Sequence, residues 1–286
     1  MKGTKSALLA KMPLLRLVIL AFAYLSLVLQ TQAQIITLAD QNSVAQVNTA
    51  SSAGMFNWSV DGQNQLAQQW FWYRVGLTAE HAINTISAPS ITTPDARTLY
   101  VTYSNAAYSV EVDYVLTGQT PGSGQADVRE SVRVHNFTGA ALDFHFFQYS
   151  DFDLGGTPGG DTVQLGKDIS GKFNEALQTK APALMSETAV TPGANHGEAA
   201  LFNATLAKLN DANPDNLNDN AGPVTGDATW ALQWDLNIAP GSDALISKQK
   251  FLQVPEPSTF ALISFGAIAC ALHRRRQSSR GNSALA

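Results

Sequence analysis

Hydrophobic and polar residues alternate with a period of two over several stretches in the middle of the chain. This alternation is typical of half-buried strands in antiparallel sheets, because successive side chains of a strand point to opposite faces. The apolar members of four such stretches are Val110, Val112, Tyr114 and Leu116; Val128, Val132 and Val134; Leu142, Phe144 and Phe146; and Trp230, Leu232, Trp234 and Leu236. These four stretches are predicted to be strands.

Shorter runs extend the prediction to about ten strands, which with short turns over ~220 residues indicate one all-β domain. The further strands are Met55–Val60, Gln69–Val75, Thr98–Tyr103, Ala199–Leu206 and Ala244–Leu252. TGQTPGSGQ is predicted to form a glycine-rich hairpin, and FTGA a tight turn between the next two strands. One helix is predicted near Lys172–Thr179. The fold class is therefore an antiparallel β-sandwich or an enlarged two-sheet sandwich.

The N-terminus has the features of a signal peptide. Basic residues precede a run of apolar residues from Leu17 to Leu29, and small side chains follow up to Ala33. The alternative is an uncleaved anchor, but a run of 13 residues is short against the ~20 that a spanning helix needs. We predict a cleaved signal peptide over residues 1–33, beginning at Met1 or at Met12.

A second apolar run, Phe260–Leu272, is followed by a cluster of three arginines. With flanking residues it is long enough for a short membrane span, and the arginines after it are expected to stay cytoplasmic. The signal peptide places the rest of the chain on the other side of the membrane, so the two predictions agree. Residues 34–253 are thus predicted to be an extracytoplasmic domain, and residues 254–286 a tail.

The tail resembles the PEP-CTERM sorting tail of exported Gram-negative bacterial proteins. The resemblance implies that an exosortase, a membrane protease, processes the tail during sorting to the cell surface or extracellular matrix. By the same resemblance, Pro255, Glu256 and Pro257 form the recognition motif, Phe260–Leu272 the transient anchor, and Arg274, Arg275 and Arg276 the retention signal. The resemblance covers about the last tenth of the chain and implies nothing about the activity of the domain.

Composition narrows the function of the domain. Between Gln34 and Pro255 there are 10 basic and 22 acidic residues, a net charge of −12, which should repel nucleic acid. The single cysteine, Cys270, lies in the terminal apolar run. The domain therefore has no disulfide, thiol nucleophile or cysteine-based metal cluster.

The strongest polar cluster is the loop DFDLGGTPGGD at residues 151–161. Its carboxylates, Asp151, Asp153 and Asp161, lie on a glycine-rich segment that can fold around Ca²⁺, which prefers several oxygen ligands. The match to an EF-hand is partial, since Thr162 stands where the bidentate glutamate belongs. The alternative is a solvated loop whose Asp and Gly residues supply turn conformations. A second oxygen-rich loop, residues 210–220, is interpreted as a flexible polar loop.

No enzyme signature is found in the domain. Asp113, Glu111, Asp143 and Asp235 occupy outward positions of predicted strands, where charges belong without a catalytic reason. The histidines are scattered and match no metal or hydrolase motif. His135 and His145 are candidates for neighbours across a hairpin, interpreted as solvent-side side chains.

The run Trp70-Phe71-Trp72-Tyr73 places large rings on both faces of one strand. We expect both faces to be buried in a two-layer fold, and the alternative is an exposed aromatic patch that binds sugars.

The sequence therefore predicts an exported, non-enzymatic structural or adhesive protein of the cell surface or exopolysaccharide matrix, with Ca²⁺ as its one candidate cofactor. Its expected partners are signal peptidase, an exosortase and extracellular polysaccharide. The alternative is a carbohydrate-binding module or glycoside hydrolase that uses acids of the 151–161 loop.

Overall fold

The computed structural model describes residues 34–254, except the side chains of residues 189 and 190. The described chain is almost entirely β-strand and forms two nine-stranded sheets, as the predicted sandwich requires. Sheet 1 contains β1 Ile35–Asp40, β2 Ser43–Asn48, β3 Gly54–Val60, β4 Gln63–Asn64, β5 Leu66–Val75, β6 His81–Ala82, β11 Leu142–Phe152, β15 His196–Leu201 and β17 Ala228–Ile238. Sheet 2 contains β7 Ser90–Asp95, β8 Thr98–Ser104, β9 Tyr108–Gly118, β10 Gln125–Asn136, β12 Asp161–Lys167, β13 Phe173–Lys180, β14 Ala183–Thr191, β16 Val224–Gly226 and β18 Asp243–Gln253.

The strand order explains which segments meet. Sheet 1 has the order β1-β2-β3-β5-β11-β17-β15, with β4 beside β3 and β6 beside β5, and sheet 2 has the order β16-β12-β13-β14-β18-β10-β9-β8-β7. Among the described strands, only the short contact of β3 with β5 is parallel. A five-residue helix, α1, spans Ala204–Lys208, and two short 3₁₀ turns lie at Ile83–Thr85 and Leu154–Gly156.

The hydrophobic core lies between the two sheets and is rich in aromatic rings. Phe71 of β5 stacks on Phe146 of β11 with ring centroids 5.3 Å apart. Tyr73 stacks on Phe144 at 5.7 Å, and both rings meet Tyr108 of the opposite sheet. These contacts identify the inner face of the sheets, and the alternating burial along β9, β10 and the first half of β11 confirms the alternation predicted for these strands.

Two predicted elements are wrong. The segment predicted as a helix near Lys172–Thr179 is strand β13, in which the inward residues include the polar Gln178, so the sequence hides the period of two. The strand predicted over Ala199–Leu206 ends at Leu201. The chain then takes a left-handed conformation at Asn203, with φ of 68°, and continues as α1.

The FTGA turn joins strands of different sheets. β10 belongs to sheet 2 and β11 to sheet 1, so the chain crosses the sandwich there, whereas the TGQTPGSGQ hairpin pairs β9 with β10 as predicted. The suggestion that His135 and His145 are hairpin neighbours is therefore wrong. His135 instead pairs with Asp243 on sheet 2, with Nδ1 2.7 Å from Oδ1.

The outer face of sheet 1 is covered by the segment of residues 202–223, here called the covering segment. Its Asn210 accepts a hydrogen bond from the indole of Trp72, and the backbone N–H of Leu217 donates to Gln233. Trp70, Phe71, Trp72 and Tyr73 are all buried, because Phe71 and Tyr73 pack in the core between the sheets and the covering segment lies over Trp72. The expectation of burial on both faces is confirmed.

Sheet 2 contributes four fully buried charged residues to the sandwich interior. Lys250 Nζ lies 2.7 Å from an oxygen of Glu130 and 2.8 Å from an oxygen of Glu187, and Lys248 contacts Glu130. From sheet 1, Gln148 donates a hydrogen bond of 2.9 Å to Glu187. The two positive and two negative charges balance one another inside the core.

The last described residue is firmly attached to the domain. The N–H of Val254 donates to the carbonyl oxygen of Gly124 at 2.7 Å, directly after the end of β18. Gly124 has a φ of 68°, and a Cβ at this position would lie 2.1 Å from the carbonyl oxygen of Val254. The sandwich therefore continues to the residue before Pro255.

Candidate functional site

Neighbouring strands of sheet 1 place four polar side chains side by side on its outer face. Strand pairing sets Arg74 of β5 opposite His145 of β11, and His145 opposite Asp235 of β17. Side chains of directly paired residues project from the same face. His196 of the edge strand β15 completes this polar row, which we define as Arg74, His145, Asp235 and His196.

Asp235 lies between two imidazole rings. Its Oδ1 is 2.6 Å from Nδ1 of His145, and its Oδ2 is 3.3 Å from Nε2 of His196. Each histidine has a second carboxylate near its other nitrogen: Asp143 lies 3.4 Å from His145, and Asp219 lies 3.1 Å from His196. His145 and Asp235 keep 14% and 29% of their side chains exposed, so a ligand can reach them.

The pKa of the Asp235 carboxyl lies below its ordinary value. Burial raises this pKa, but the hydrogen bonds from His145 and Gln233 and the charges of His145 and His196 outweigh that effect. Asp235 is therefore a carboxylate at neutral pH. A carboxylate that orients imidazole rings near solvent is suited to hold a ligand hydroxyl or to move its proton.

Beside the polar row, a buried ion pair fixes the covering segment. Arg74 Nη1 lies 2.8 Å from Oε1 of Glu80, with both side chains almost fully buried. The guanidinium also donates to the carbonyl oxygen of Asp215 and, at 2.7 Å, to the side chain of Asn216. The same Glu80 oxygen accepts the backbone N–H of Asp215 at 3.0 Å. Sheet 1 and the covering segment are thus joined by charged hydrogen bonds.

A pocket of about 480 Å³ opens between the residues after β5 and the covering segment. Its polar lining includes Glu80, His81, Asn84, Asn210 and Asp211. Two indole N–H groups of the sheet fix the amides: Trp70 donates to Asn84, and Trp72 donates to Asn210. Within the described part of the chain, Oε2 of Glu80 is buried without a hydrogen-bond partner. The pocket presents the exposed carboxylate of Asp211, the imidazole of His81 and amide groups to a small polar ligand, whereas the Glu80 side chain is buried.

The acids predicted from the 151–161 loop lie together, and the structure adds a fourth. Asp151, Asp153 and Asp227 can each offer a carboxylate oxygen within 4.8 Å of the others. Burial raises the pKa of Asp151 to about 7, and the charges of Asp153, Asp227 and Asp161 add to the effect. Burial likewise raises the pKa of Asp161 to about 6, with Lys180 opposing it.

Sequence reasoning missed most of these groupings. Asp227 lies far from the 151–161 loop in sequence, and it joins the cluster because β17 pairs with β11. The one sequence feature that pointed to His145 and Asp235 was their outward position on predicted strands. The sequence did not show that these two strands pair with each other. Arg74 and Glu80 belong to no sequence motif that would have marked them.

The loop of residues 210–220 differs from the flexible polar loop that was expected. Asn210 and Asn216 accept hydrogen bonds from Trp72 and Arg74, and the side chain of Leu217 is buried. Its polar residues therefore hold the covering segment on the sheet and line the pocket.

The residues predicted for export and sorting lie outside the described residues. These are the signal peptide of residues 1–33, the motif at Pro255, Glu256 and Pro257, the apolar run Phe260–Leu272, and the arginines Arg274, Arg275 and Arg276. Within residues 34–254 the structure contains no helix of the length and hydrophobicity that crossing a membrane requires. The predicted division into signal peptide, domain and tail stays a prediction.

Comparison with known proteins confirms the resemblance of the tail to the PEP-CTERM sorting motif. Residues 253–277 match the PEP-CTERM protein-sorting motif, which implies export, membrane-anchored sorting and processing by an exosortase. No curated protein sequence is significantly similar to the chain.

The fold resembles that of solved carbohydrate-active proteins. A bacterial glucoamylase complexed with acarbose has a TM-score of 0.56 and 9% identity, over 83% of this chain and 36% of that chain. This chain thus matches about a third of the glucoamylase. Galactose mutarotase-like proteins from Clostridium acetobutylicum and Lactobacillus casei have TM-scores of 0.52 and 0.50 and identities of 8% and 9%. They match over 78% and 77% of this chain, and over 96% and 100% of their own lengths. At these identities the likeness shows a shared fold alone.

Proposed function

We propose that this protein is exported, is sorted through its PEP-CTERM tail to the cell surface or exopolysaccharide matrix, and binds carbohydrate there as a non-enzymatic structural or adhesive component. The sorting part rests on the motif at residues 253–277. The binding part is carried by the pocket beside Glu80, whose polar lining matches the hydroxyl groups of a sugar. A sheet fold shared with carbohydrate-active proteins supports the same ligand class.

The chemistry of the pocket favours a hydroxyl-rich ligand. Carboxylate oxygens accept hydrogen bonds from hydroxyl groups, and amide and imidazole groups can donate or accept them. A volume of about 480 Å³ lies within the range of small-ligand sites, ~300 to 1,000 Å³. The net charge of −12 over the domain also disfavours an anionic ligand such as nucleic acid.

The binding proposal is tested with two variants of exposed pocket residues, His81→Ala and Asp211→Ala. Each removes a hydrogen-bonding group from the pocket while leaving the Arg74–Glu80 pair in place. We expect each to weaken binding of the purified exopolysaccharide of the host at least about tenfold, as the loss of ~1.4 kcal/mol predicts. Binding is measured by isothermal titration calorimetry with the full-length protein, and His135→Ala on sheet 2 is the matched control.

Two outcomes decide the proposal. Wild-type binding that the pocket variants leave unchanged would place the ligand elsewhere and reject this pocket. The absence of binding to the exopolysaccharide and to its component sugars would reject the carbohydrate function while leaving the sorting proposal standing.

The second candidate is a sugar-converting enzyme, favoured by the position of Asp235 between His145 and His196. These groups suit acid–base chemistry on an aldose, such as a mutarotase reaction. Exchange between sugar anomers, followed by NMR and lost in Asp235→Asn, would favour this candidate over a binding protein. Release of reducing ends from polysaccharide, lost in Asp151→Asn, would instead favour a hydrolase that uses the 151–161 loop.

A further inference from the structure

Four carboxylates converge where sheet 1 meets sheet 2, at the opposite end of β11 from the polar row. Asp151 is the second-to-last residue of β11, Asp153 directly follows that strand, Asp161 begins β12, and Asp227 directly precedes β17. We call these four residues the acidic cluster. Oxygens of Asp151, Asp153 and Asp227 lie within 4.8 Å of one another. Asp161 lies outside this group of three, and electrostatic repulsion couples it to Asp151 and Asp153.

Two members of the acidic cluster are buried with free oxygen atoms. Asp151 is 4% exposed, and its Oδ1 has no hydrogen-bond partner among residues 34–254. Asp161 is fully buried, and neither of its oxygens accepts a hydrogen bond of regular geometry in the same part of the chain, although the nearby side chain of Gln178 lowers its pKa. Carboxylate oxygens lose strong hydration on burial, so an ionised carboxylate buried in this way needs a positive charge nearby.

The protein supplies little of that charge. The nearest cation is Lys180, whose Nζ lies 3.9 Å from Oδ1 of Asp161 and donates its hydrogen bonds to Thr157 instead. Four carboxylates thus face one partly exposed ammonium group. Repulsion among them helps raise the pKa values of Asp151 and Asp153.

We propose that the acidic cluster binds a divalent cation of the Ca²⁺ type. Hard cations of this kind are bound by carboxylate and carbonyl oxygens, and the donor set consists of carboxylates alone. The chain between Asp153 and Asp161 is rich in glycine, with positive φ at Gly155, Gly156, Gly159 and Gly160. This backbone can turn carbonyl oxygens towards an ion to complete its coordination.

The bound ion would join the two sheets. Asp151, Asp153 and Asp227 belong to the strand ends of sheet 1, whereas Asp161 is the first residue of β12 in sheet 2. An ion bound by Asp151, Asp153 and Asp227 replaces their mutual repulsion with attraction, and its charge also attracts the carboxylate of Asp161 across the sandwich. The ion therefore stabilises the folded domain, and this role is independent of the carbohydrate pocket.

The test uses the full-length protein purified in detergent and stripped of metal with a chelator. Ca²⁺ alone is titrated by calorimetry, and thermal unfolding is followed with and without it. At a free concentration of 100 times Kd, binding to the folded state alone lowers the unfolding equilibrium constant about 100-fold. Mg²⁺ is titrated in parallel, because a carboxylate site that suits the larger ion binds Mg²⁺ more weakly.

Two variants test whether the acidic cluster binds a cation or only forms part of the folded structure. Asp151→Asn should raise Tm in the absence of metal, because one repelling charge is gone, and should abolish the response to Ca²⁺. Asp227→Asn, which is less buried, should weaken Ca²⁺ binding at least tenfold and preserves the test if Asp151→Asn folds poorly. The matched control is Asp127→Asn, which replaces an acid on the outer face of sheet 2. It should bind Ca²⁺ as the wild type does.

The proposal is overturned if Ca²⁺ fails to bind saturably to the metal-free wild-type protein. It is equally overturned if Asp151→Asn and Asp227→Asn bind Ca²⁺ as tightly as Asp127→Asn.

Discussion

At the scale of single residues, the sandwich carries charges in places where burial makes them costly. Lys248 and Lys250 are fully buried with Glu130 and Glu187, and Lys248 also lies over the ring of Phe71 at 4.8 Å. Burial lowers the pKa of Lys248 to about 8, although the two glutamates oppose this effect. Such groups contribute little net stability while they are paired, but a single unpaired member is expensive.

Removing one of these four charged residues should therefore lower the free energy of unfolding more than removing a positive and a negative residue together. Glu130→Leu leaves two lysines facing one glutamate, and we expect the free energy of unfolding to fall by about 3 to 5 kcal/mol. The double variant Glu130→Leu with Lys248→Met keeps the pair of Lys250 and Glu187, at 2.8 Å, and should regain most of that loss. Denaturant-induced unfolding measures both values.

The control is the exposed pair of Glu111 and Arg133 on the outer side of sheet 2. Glu111→Leu should change the free energy of unfolding by less than about 1 kcal/mol, because water screens the pair. A double variant no more stable than Glu130→Leu alone would argue against charge balance as the reason for the burial.

At the scale of elements, the covering segment decides what sheet 1 can do. It buries the centre of the outer face, including Trp72 and Gln233, and it also contacts the polar row through Arg74 and His196. Its attachment includes hydrogen bonds of Arg74 and Glu80 to Asp215 and Asn216, and hydrogen bonds that Glu198 accepts from Thr205, Lys208 and Asn218. The pocket exists only while this segment stays in place.

Weakening the Arg74–Glu80 attachment should loosen residues 215–218 without unfolding the sandwich. In Glu80→Gln the buried ion pair with Arg74 is lost, and hydrogen bonds to charged groups are worth ~1.5 to 3 kcal/mol. We expect the amides of residues 215–218 to exchange with solvent about 10- to 100-fold faster, measured by hydrogen–deuterium exchange.

Glu111→Gln serves as the control and should leave these amides unchanged. Equal acceleration in β9 and β10 of the Glu80→Gln variant would indicate general destabilisation and would contradict a local attachment.

At the scale of the whole molecule, the sequence predicts a sandwich domain between two terminal segments that determine its destination. The domain follows from the alternation in β9, β10 and β11, where apolar residues mark the inner face. β12 to β14 were missed because polar residues such as Gln178 and Glu187 stand at inward positions and break the pattern. The pocket, the polar row and the place of Asp227 could not be predicted, because each depends on the pairing of segments distant in sequence.

The sorting tail is tested on the whole protein in its host. Replacing Pro255, Glu256 and Pro257 with alanine should leave export intact but block removal of the tail, since the motif is the recognition site. Mass spectrometry of the mature C-terminus should find a wild-type chain that ends near Pro255 and a variant that retains Arg274–Arg276. An intact tail in both proteins would contradict processing at this motif.

The attachment of Val254 to Gly124 has a mechanical consequence. Pro255 follows directly in the sequence, so no free linker separates the sorting motif from β18. Force applied to an anchored tail is therefore transmitted to the sandwich through β18. This strand pairs with β10 along its whole length and with β14 over most of it. Force along this central strand loads many hydrogen bonds in shear at the same time. Where the domain is held by its C-terminus, it should resist mechanical unfolding better than a domain that hangs from an edge strand.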